Sequence, residues 1–519
     1  MLKSILFFIA LLSFSFGVKA NTYYVTTVSD TGVGSLRAMI DTANNNPGLD
    51  TILLSLGAHD TIHIGTHLPN ITDSLVITGL PCQNPTISGD SIAFTKSAIA
   101  VSNTLLPVTL NYLNIINCYT TGVNAHGAVY GGILYINYCF FSGNYYGQPA
   151  GNVAAGAVCG QTVWAYSSTF YKNECTAFLQ GGGALYANQA HLYNCTFTGN
   201  HSADVGGAVT GNGIEMQNCT VTGNSAGNGG GIYIDTTIAG YSISNSIIWG
   251  NISTISQSLA GIDAQQNTLS GGCNILQDTA SVDSFQVTGT DIIGVDPQLG
   301  NIGYYLGCVP VVPILCGSVA QNHAACTGAT TTDAEDITAQ GIRDAGAFEL
   351  TRPVLGGDTI DSIPHGGTAS LYNYFNTTGY TITWPAGLND SSAAVVDTGT
   401  YTVIVTNTFG CSDTATVTIL YNSDTINAGL KEISPSTIIR LYPNPAKDFT
   451  LLSWSAVVTG ELQLKVTDVT GRTMLQQNLE ASAGEYNLNT GNLVAGVYMV
   501  AVNYANANVF SGKLIVMGR

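Results

Sequence analysis

The feature that most constrains the fold is an internal repeat whose units each close on an asparagine. Five segments align, at residues 137–144 (NYCFFSGN), 166–173 (YSSTFYKN), 193–200 (YNCTFTGN), 217–224 (QNCTVTGN) and 244–251 (SNSIIWGN). Their closing Asn residues lie 29, 27, 24 and 27 residues apart, and an earlier unit fits if Cys118 takes the Asn position. One short unit cannot bury its apolar face alone, so a repeat of this period predicts a solenoid of stacked coils.

Alternation inside the units predicts which side chains face the interior. Successive residues of a strand point to opposite faces, which places these residues inside: Cys139, Phe141, Ser168, Phe170, Cys195, Phe197, Cys219, Val221, Ser246 and Ile248. We expect a parallel β-helix of roughly eight coils, on the order of 40 Å long at ~4.8 Å per coil. The closing Asn fits either a left-handed backbone conformation or a ladder of stacked amides.

The charge of the chain limits the classes of partner that it can bind. The formal net charge is −18, and only Lys96 and Lys172 are basic between Arg37 and Arg343. Nucleic acids and anionic membranes are bound by clustered Lys and Arg. We therefore expect no nucleic-acid partner, and an acidic polysaccharide such as pectin is disfavoured.

The N-terminus predicts export. Lys3 precedes an apolar run over residues 5–16, and Val18 and Ala20 are small residues at the −3 and −1 positions. This pattern is typical of a signal peptide, residues 1–20, that is cut after Ala20. No other segment has the ~18 apolar residues of a bilayer span, so we expect no transmembrane segment in the mature chain.

A cap is expected before the first coil, because an open solenoid end would expose strand edges. Residues 35–45 form an amphipathic helical pattern with Leu36, Met39, Ile40 and Ala43 on one face. The opening segments YYVT (23–26), GSLRA (34–38) and DTI (50–52) resemble right-handed β-helix surface proteins of Bacteroidetes, the choice-of-anchor group. So do DPQL (296–299), GYYL (303–306), GIRD (341–344) and GAFE (346–349).

That resemblance implies a right-handed parallel β-helix of pectin-lyase-like fold over residues 21–350. The chain departs from the family at residues 317–320, where GSVA replaces a Gly-Ser-Pro-Ala-Ile-Asp-like step. Residues 351–422 offer short alternating strands, a candidate core Trp384 and a tyrosine corner ending at Tyr401. They resemble a small Ig-like β-sandwich that lacks the usual disulfide, because Cys411 is its only cysteine.

The C-terminal part carries the most specific motifs. They follow a linker at 423–436 and are Pro443, Asn444, Pro445, Gly471, Gly496, Tyr498 and Lys513. On these residues, the segment 437–519 resembles the C-terminal sorting domain of the type IX secretion system, a β-sandwich. The resemblance implies the type IX machinery as a partner and a location outside the cell or on its outer surface. It also implies removal of the domain, after which the body is released or attached to lipopolysaccharide.

Few residues in the sequence suggest metal binding or catalysis. His59, His63 and His67 have metal-like spacing, but on a strand side chains four apart lie about 13 Å apart and cannot share an ion. A glycosidase needs two carboxylates across one bond, and a lyase needs a base with Ca²⁺ on clustered carboxylates. The repeat acids, Glu174, Asp204, Glu215, Asp235 and Asp263, do not share one coil position. Asp204 and Asp235 alone could meet as a catalytic pair, and Ca²⁺ is the one cofactor left open.

Aromatic residues are crowded into two coils: Tyr130, Tyr135, Tyr138, Tyr145, Tyr146, Trp164, Tyr166 and Tyr171. An aromatic ridge could stack on sugar rings, although outward strand tyrosines and core filling are the simpler interpretation.

Cys139, Cys195 and Cys219 align, which favours small-residue core stacking over a disulfide between coils. We therefore predict a non-enzymatic, glycan-binding or adhesin-like surface protein. The alternatives are a polysaccharide-degrading enzyme on the same scaffold and a structural surface-layer component.

Overall fold

The computed structural model describes residues 20–518, apart from 148–152, 179–180, 236–240, 256–260, 266–267, 278–284, 340, 356–357, 365–366, 371–379, 385–393, 396–397, 422–438, 455–460, 481, 483 and 505–506. The predicted signal peptide up to residue 19 and the whole predicted linker, 423–436, therefore lie outside the described residues. The chain divides into two compact units, Met1–Asn422 and Ser423–Arg519.

The first unit contains a parallel β-solenoid of about nine turns over residues 22–276. A complete coil gives one strand to each of three parallel sheets. The strands of sheet 1 are Thr22–Val25, Asp50–Leu54, Leu75–Thr78, Ile99–Ala100, Pro107–Asn111, Val129–Asn137, Val158–Tyr166, Leu185–Tyr193, Val209–Gln217, Ile232–Ile234, Ile243–Ser244, Ile262–Ala264, Thr268–Gly272 and Phe285–Gln286.

Sheets 2 and 3 complete the coils. Sheet 2 consists of Thr61–His63, Thr86–Ser88, Asn114–Ile116, Phe140–Ser142, Thr169–Tyr171, Thr196–Thr198, Thr220–Thr222, Ile247–Trp249, Ile275–Leu276 and Ile292–Ile293. Sheet 3 consists of Ala93–Lys96, Tyr119–Asn124, Tyr145–Tyr146, Glu174–Cys175, His201–Ser202, Ser225–Ala226 and Ile252–Ser253.

The side chains that fill the solenoid interior are those that the alternation predicts. All ten residues expected to face inward are fully buried, and Phe141, Phe170 and Phe197 stack with centroids 4.9 and 4.7 Å apart. Cys139, Cys195 and Cys219 are buried free thiols, so they fill the core and do not link coils. Coil stacking therefore buries one continuous row of side chains per strand position.

The closing asparagines form a ladder. Asn173 Nδ2 donates to Asn200 Oδ1 at 3.0 Å, and Asn200 repeats this contact with Asn224 at 2.9 Å. The left-handed conformation belongs to the residue before each Asn, for example Gly199 (φ 66°) and Lys172 (φ 52°). Of the two interpretations left open by the sequence, the amide ladder is the correct one.

The cap helix spans Leu36–Asn44, with Ser35 as its N-cap accepting from the Ala38 amide. Leu36, Ile40 and Ala43 are buried against the solenoid core, and Met39 is partly buried there. The helix thus covers the interior at the first coil, as the amphipathic pattern predicts.

Residues 299–350, called the strap below, are not a further coil. They return along sheet 2, where Thr169 Oγ1 donates to the Pro310 carbonyl at 2.6 Å and Asn194 Nδ2 donates to the Thr332 carbonyl at 2.9 Å. Disulfides Cys82–Cys308 and Cys273–Cys326 fix the strap to the solenoid. Residues 299–350, which were expected to continue the β-helix, therefore cover its side instead.

Small sheets follow the strap. One contains Thr359–Ile363, Ser412–Tyr421, Gly399–Thr406 and Thr381–Thr383, and another pairs Ala369–Ser370 with Ala394–Val395. Trp384 is buried with Val403 and Val417 in their core. Cys411 bonds to Cys316 of the strap. The expected tyrosine corner begins at Asp397, which lies outside the described residues.

The second unit has two antiparallel sheets that share one apolar core. Their strands are Ile439–Tyr442, Phe449–Trp454 and Glu485–Asn489 in the first, and Thr473–Glu480, Glu461–Asp468, Gly496–Tyr504 and Ala507–Val516 in the second. In the part of the chain that the structure describes, no helix has the length and apolar character needed to cross a bilayer.

Candidate functional site

The eight aromatic residues singled out from the sequence do not form one ridge. Tyr130, Tyr135, Trp164 and Tyr166 lie on sheet 1, and Tyr171 lies on sheet 2. Tyr138 lies in a turn, where its hydroxyl donates to Asp336 of the strap at 2.6 Å. Tyr145 is on sheet 3 and stacks on Tyr119, whereas its neighbour Tyr146 is buried and faces the interior. Only the sheet 1 residues share an outer face.

On that face, neighbouring coils place chemically matched residues side by side. Tyr135 pairs in register with Trp164, Trp164 with His191, and His191 with Glu215. In the next outward row, Tyr166 pairs with Tyr193. The Trp164 and His191 rings stack with centroids 3.6 Å apart, and those of Tyr166 and Tyr193 stack at 4.8 Å. We call Trp164, Tyr166, His191, Tyr193, Glu215 and Tyr241 the aromatic patch.

Polar contacts hold the patch in place. His191 Nδ1 lies 2.7 Å from Glu215 Oε2, and the Tyr241 hydroxyl lies 3.4 Å from His191 Nε2. Gln217 Nε2 donates to Glu215 Oε1 at 3.2 Å. Burial and the hydrogen bond to Glu215 raise the pKa of Tyr193 well above its usual value, so it remains a neutral donor. The patch therefore combines apolar rings with fixed hydroxyl, imidazole and carboxylate groups.

Three members of the patch were missed by the sequence reasoning, His191, Tyr193 and Tyr241, and Glu215 was considered there only as a carboxylate. The signal for two of them was the repeat itself, because His191 and Tyr193 each lie one coil after Trp164 and Tyr166. Aromatic residues that are close in sequence are easily noticed, whereas residues at the same position of successive coils are 24 to 29 residues apart. Tyr241 reaches the patch from the connection before strand Ile243–Ser244, which no repeat predicts.

The repeat acids separate into different environments. Glu174 is on sheet 3 and Glu215 belongs to the aromatic patch, whereas Asp204, Asp235 and Asp263 lie around Tyr233. Burial, followed by the charges of Asp235, Asp263 and Asp204, raises the pKa of Tyr233 to about 12. Asp263 is buried, which raises its carboxyl pKa, and its Oδ1 accepts from Gln265 at 3.0 Å. Asp204 and Asp235, singled out from the sequence, thus share a neighbour.

The histidines that resemble a metal motif are separate. His63 Nδ1 lies 2.8 Å from Asp90 Oδ2, on an exposed edge, and His67 Nδ1 faces the Leu68 carbonyl. Within the described residues, no three His, Cys, Asp or Glu side chains lie close enough to hold a metal ion. Neither a Ca²⁺ site nor a His site can be assigned from these contacts.

The predicted sorting motifs occupy turns and edges of the second unit. Asn444, between Pro443 and Pro445, donates from Nδ2 to the Lys513 carbonyl at 2.6 Å and accepts from the Ile515 amide at 2.9 Å. Gly471 has φ 86° in a turn where Asp468 accepts from the amides of Thr470 and Arg472. Gly496 begins a strand, and the buried Tyr498 donates to the Val494 carbonyl at 2.7 Å.

Comparison with known proteins identifies the second unit. Residues 440–517 match the family of secretion system C-terminal sorting domains. A crystal structure of dimeric latent PorU from Porphyromonas gingivalis is also similar, at 16% identity and a TM-score of 0.17, over 31% of this chain and 19% of that chain. No curated protein matches the chain. The chain is a type IX secretion cargo with a β-solenoid, located outside the cell or on its surface.

Proposed function

We propose that this exported chain is a non-enzymatic, adhesin-like protein that binds extracellular glycans through the aromatic patch. In this proposal residues 1–20 are a signal peptide, 21–350 a right-handed β-helix of the choice-of-anchor type with its strap, and 351–422 an Ig-like spacer. Residues 423–436 link this body to a sorting β-sandwich, 437–519, which directs it to release or to lipopolysaccharide.

The observation that carries the proposal is the alignment of rings on successive coils. Trp164 and Tyr166 lie in one coil, and His191 and Tyr193 lie directly beside them in the next. Tyr135 and Tyr166 keep more than a third of their surface exposed. Aromatic side chains with a polar group offer a sugar both an apolar face and hydrogen bonds. A glycan lying along the solenoid would meet such a ring on each of the three neighbouring coils that carry Tyr135, Trp164 and His191.

The negative charge of the chain favours some classes of glycan over others. The chain carries a net charge of −18, and Glu215 lies within the patch. An acidic polysaccharide would be repelled by this field, whereas a neutral or amine-bearing glycan would not. We therefore expect neutral or amino-sugar polymers to be the ligands.

Binding of the full mature chain to immobilised neutral, amino-sugar and acidic polysaccharides tests the proposal. We expect Trp164→Ala and Tyr166→Ala to weaken binding about tenfold, the effect of losing one or two aromatic contacts. Tyr24→Ala, an exposed tyrosine on the first strand of sheet 1, is the matched control and should bind as the wild type does. Equal binding by all three variants, or preferential binding of the acidic polymer, would contradict the proposal.

A hydrolase is the second candidate, favoured by the three carboxylates around Tyr233. A raised carboxyl pKa, as at Asp263, suits a general acid, and hydrolysis also needs a second carboxylate nearby. Release of reducing ends from the bound polysaccharide, lost in Asp235→Asn and Asp263→Asn but kept in Trp164→Ala, would favour this enzyme. A chain that neither binds nor cleaves any polymer would instead favour a structural surface-layer role.

A further inference from the structure

A buried carboxylate lies at the start of the solenoid, next to the predicted signal-peptide cleavage point. Asp50 is 1% exposed and begins the second strand of sheet 1. The backbone N of Asn21 donates to Asp50 Oδ1 at 2.8 Å, and Asn46 Nδ2 lies 3.0 Å from both carboxylate oxygens. Asn46 follows Asn45, the C-cap of the cap helix. This single carboxylate, on the second strand, therefore binds both Asn21 and Asn46.

Within the described residues, which begin at Ala20, this carboxylate accepts from neutral N–H donors. Among the described residues, no Lys, Arg or His forms an ion pair with Asp50. Burying an ionised carboxylate without a counter-charge is unfavourable, and neutral N–H donors compensate only in part. Asp30, on the same cap, has such a counter-charge in Arg37 at 2.6 Å.

Cleavage after Ala20 would change the Asn21 nitrogen at this position. Hydrolysis of the Ala20–Asn21 peptide bond consumes one water and leaves a carboxylate on Ala20 and an ammonium on Asn21. The proton of the new carboxylic acid passes to the new amine. A neutral amide donor becomes a cation with three N–H groups, already within hydrogen-bonding distance of the Asp50 carboxylate.

We propose that removal of the signal peptide gives Asp50 a counter-charge, so that the α-ammonium of Asn21 binds this carboxylate and completes the N-terminal cap of the processed chain. Two independent features agree on the position. The small residues Val18 and Ala20 place the cleavage before Asn21, and the fold places the nitrogen of Asn21, and not that of a neighbour, on Asp50. The inference depends on this cleavage and is independent of any glycan binding.

Completion of the cap has a structural consequence for the first two strands. The Asn21 carbonyl accepts from the Thr51 amide at 2.8 Å, and residues 22–25 pair in register with 51–54. A charged hydrogen bond at Asn21 therefore fixes the first strand more firmly than the neutral Asn21 amide of the unprocessed chain does. A chain one residue longer would move its ammonium away from the carboxylate.

Hydrogen exchange of the full chain tests this. Chains beginning at Asn21 and at Ala20 would be compared by the exchange rates of the amides in residues 51–54. We expect exchange in the Asn21 chain to be slower by about tenfold, the order of one charged hydrogen bond. Asp50→Asn should abolish this difference. Asp73→Asn is the control, because Asp73 accepts from the Gly48 amide at 2.7 Å on the same cap but does not contact Asn21; it should leave the difference intact.

Equal exchange in the two chains, or a difference that persists in Asp50→Asn, would overturn the proposal. Since Asp50→Asn could unfold the cap, a second measurement uses only wild-type side chains. The α-amine of the Asn21 chain should be acetylated at pH 8 several-fold more slowly than that of the Ala20 chain, because pairing keeps it protonated. Equal acetylation rates, or a secreted protein that begins at another residue, would also refute it.

Discussion

Asn200 of one coil accepts two hydrogen bonds from Asn173 of the coil before it, from the backbone N–H at 2.9 Å and from Nδ2 at 3.0 Å. Both side chains are fully buried. Each amide in this row therefore satisfies its neighbour completely, and a buried donor left without its acceptor has no water to replace it.

The first prediction concerns this ladder. Asn200→Ala should lower the free energy of unfolding by about 3 kcal/mol, because two donors of Asn173 and the Phe170 carbonyl lose their partner. Asn188→Ala removes a similar amide pair with Asn212 on the outer face, where water can substitute, and should change it by less than about 1 kcal/mol. Urea denaturation followed by tyrosine fluorescence measures both. Equal destabilisation by the two substitutions would contradict the role of the ladder.

The free thiols should be unreactive in the native protein. Six cysteines are buried and unpaired, and burial raises the pKa of Cys118, Cys139 and Cys175 to about 12. The thiolate is the reactive form, so iodoacetamide at pH 8 should label none of them before unfolding and all six in urea. Mass spectrometry of the labelled chain gives the number. Rapid labelling of the folded chain would show that the coils open locally.

The disulfide between Cys82 and Cys308 should hold the strap on the solenoid. Its partners are 226 residues apart, and a link closing so long a loop stabilises by about 5 kcal/mol in the chain-entropy model. We expect Cys82→Ser with Cys308→Ser to make residues 299–312 susceptible to limited proteolysis. The pair Cys316→Ser and Cys411→Ser is the control, because this disulfide ties the strap to the following sheets. Its cleavage pattern at 299–312 should match the wild type.

Stability should fall as the pH rises from 5 to 7.5, because two strap carboxyls are buried. Burial raises the pKa of Asp333 to about 6 and that of Glu349 to about 7, so the folded state holds these protons more tightly than the unfolded state does. Their contribution is complete below pH ~4 and is lost as the pH passes through 6 to 7.

We expect a decrease of roughly 1–3 kcal/mol over this range, and Glu349→Gln should reduce it. Urea midpoints at pH 5, 6 and 7.5 measure the slope. A slope that Glu349→Gln leaves unchanged would assign the pH dependence to other groups.

The sequence was sufficient for features that repeat locally. The alternation of Cys195 and Phe197 predicted burial correctly because the strand period is fixed by backbone geometry. The helix with Ser35 before it followed from its apolar spacing in the same way. The Asn positions identified the coil, although the left-handed residue is the one before each Asn.

Contacts between segments that are far apart in the chain could not be predicted from the sequence. Thr169 and Asn194 contact strap residues that are 138 to 149 positions away in the chain. Neither segment carries a sequence pattern that indicates the other. Tyr145 and Tyr146 looked equivalent among crowded aromatics, but adjacent strand residues must point to opposite sides, and Tyr146 points inward. The patch required His191 and Glu215, which only the inter-coil register places beside Trp164.

The ladder also bears on how such a chain can lengthen. Each inner coil offers one pair of donors to the coil after it and one acceptor to the coil before it. This holds although the repeats differ in length, from 24 to 29 residues. Duplication or deletion of an entire coil would leave every amide in the row satisfied, whereas a partial insertion would break it. Evolution can therefore change the reach of this protein one coil at a time, adding one outward residue to each surface row.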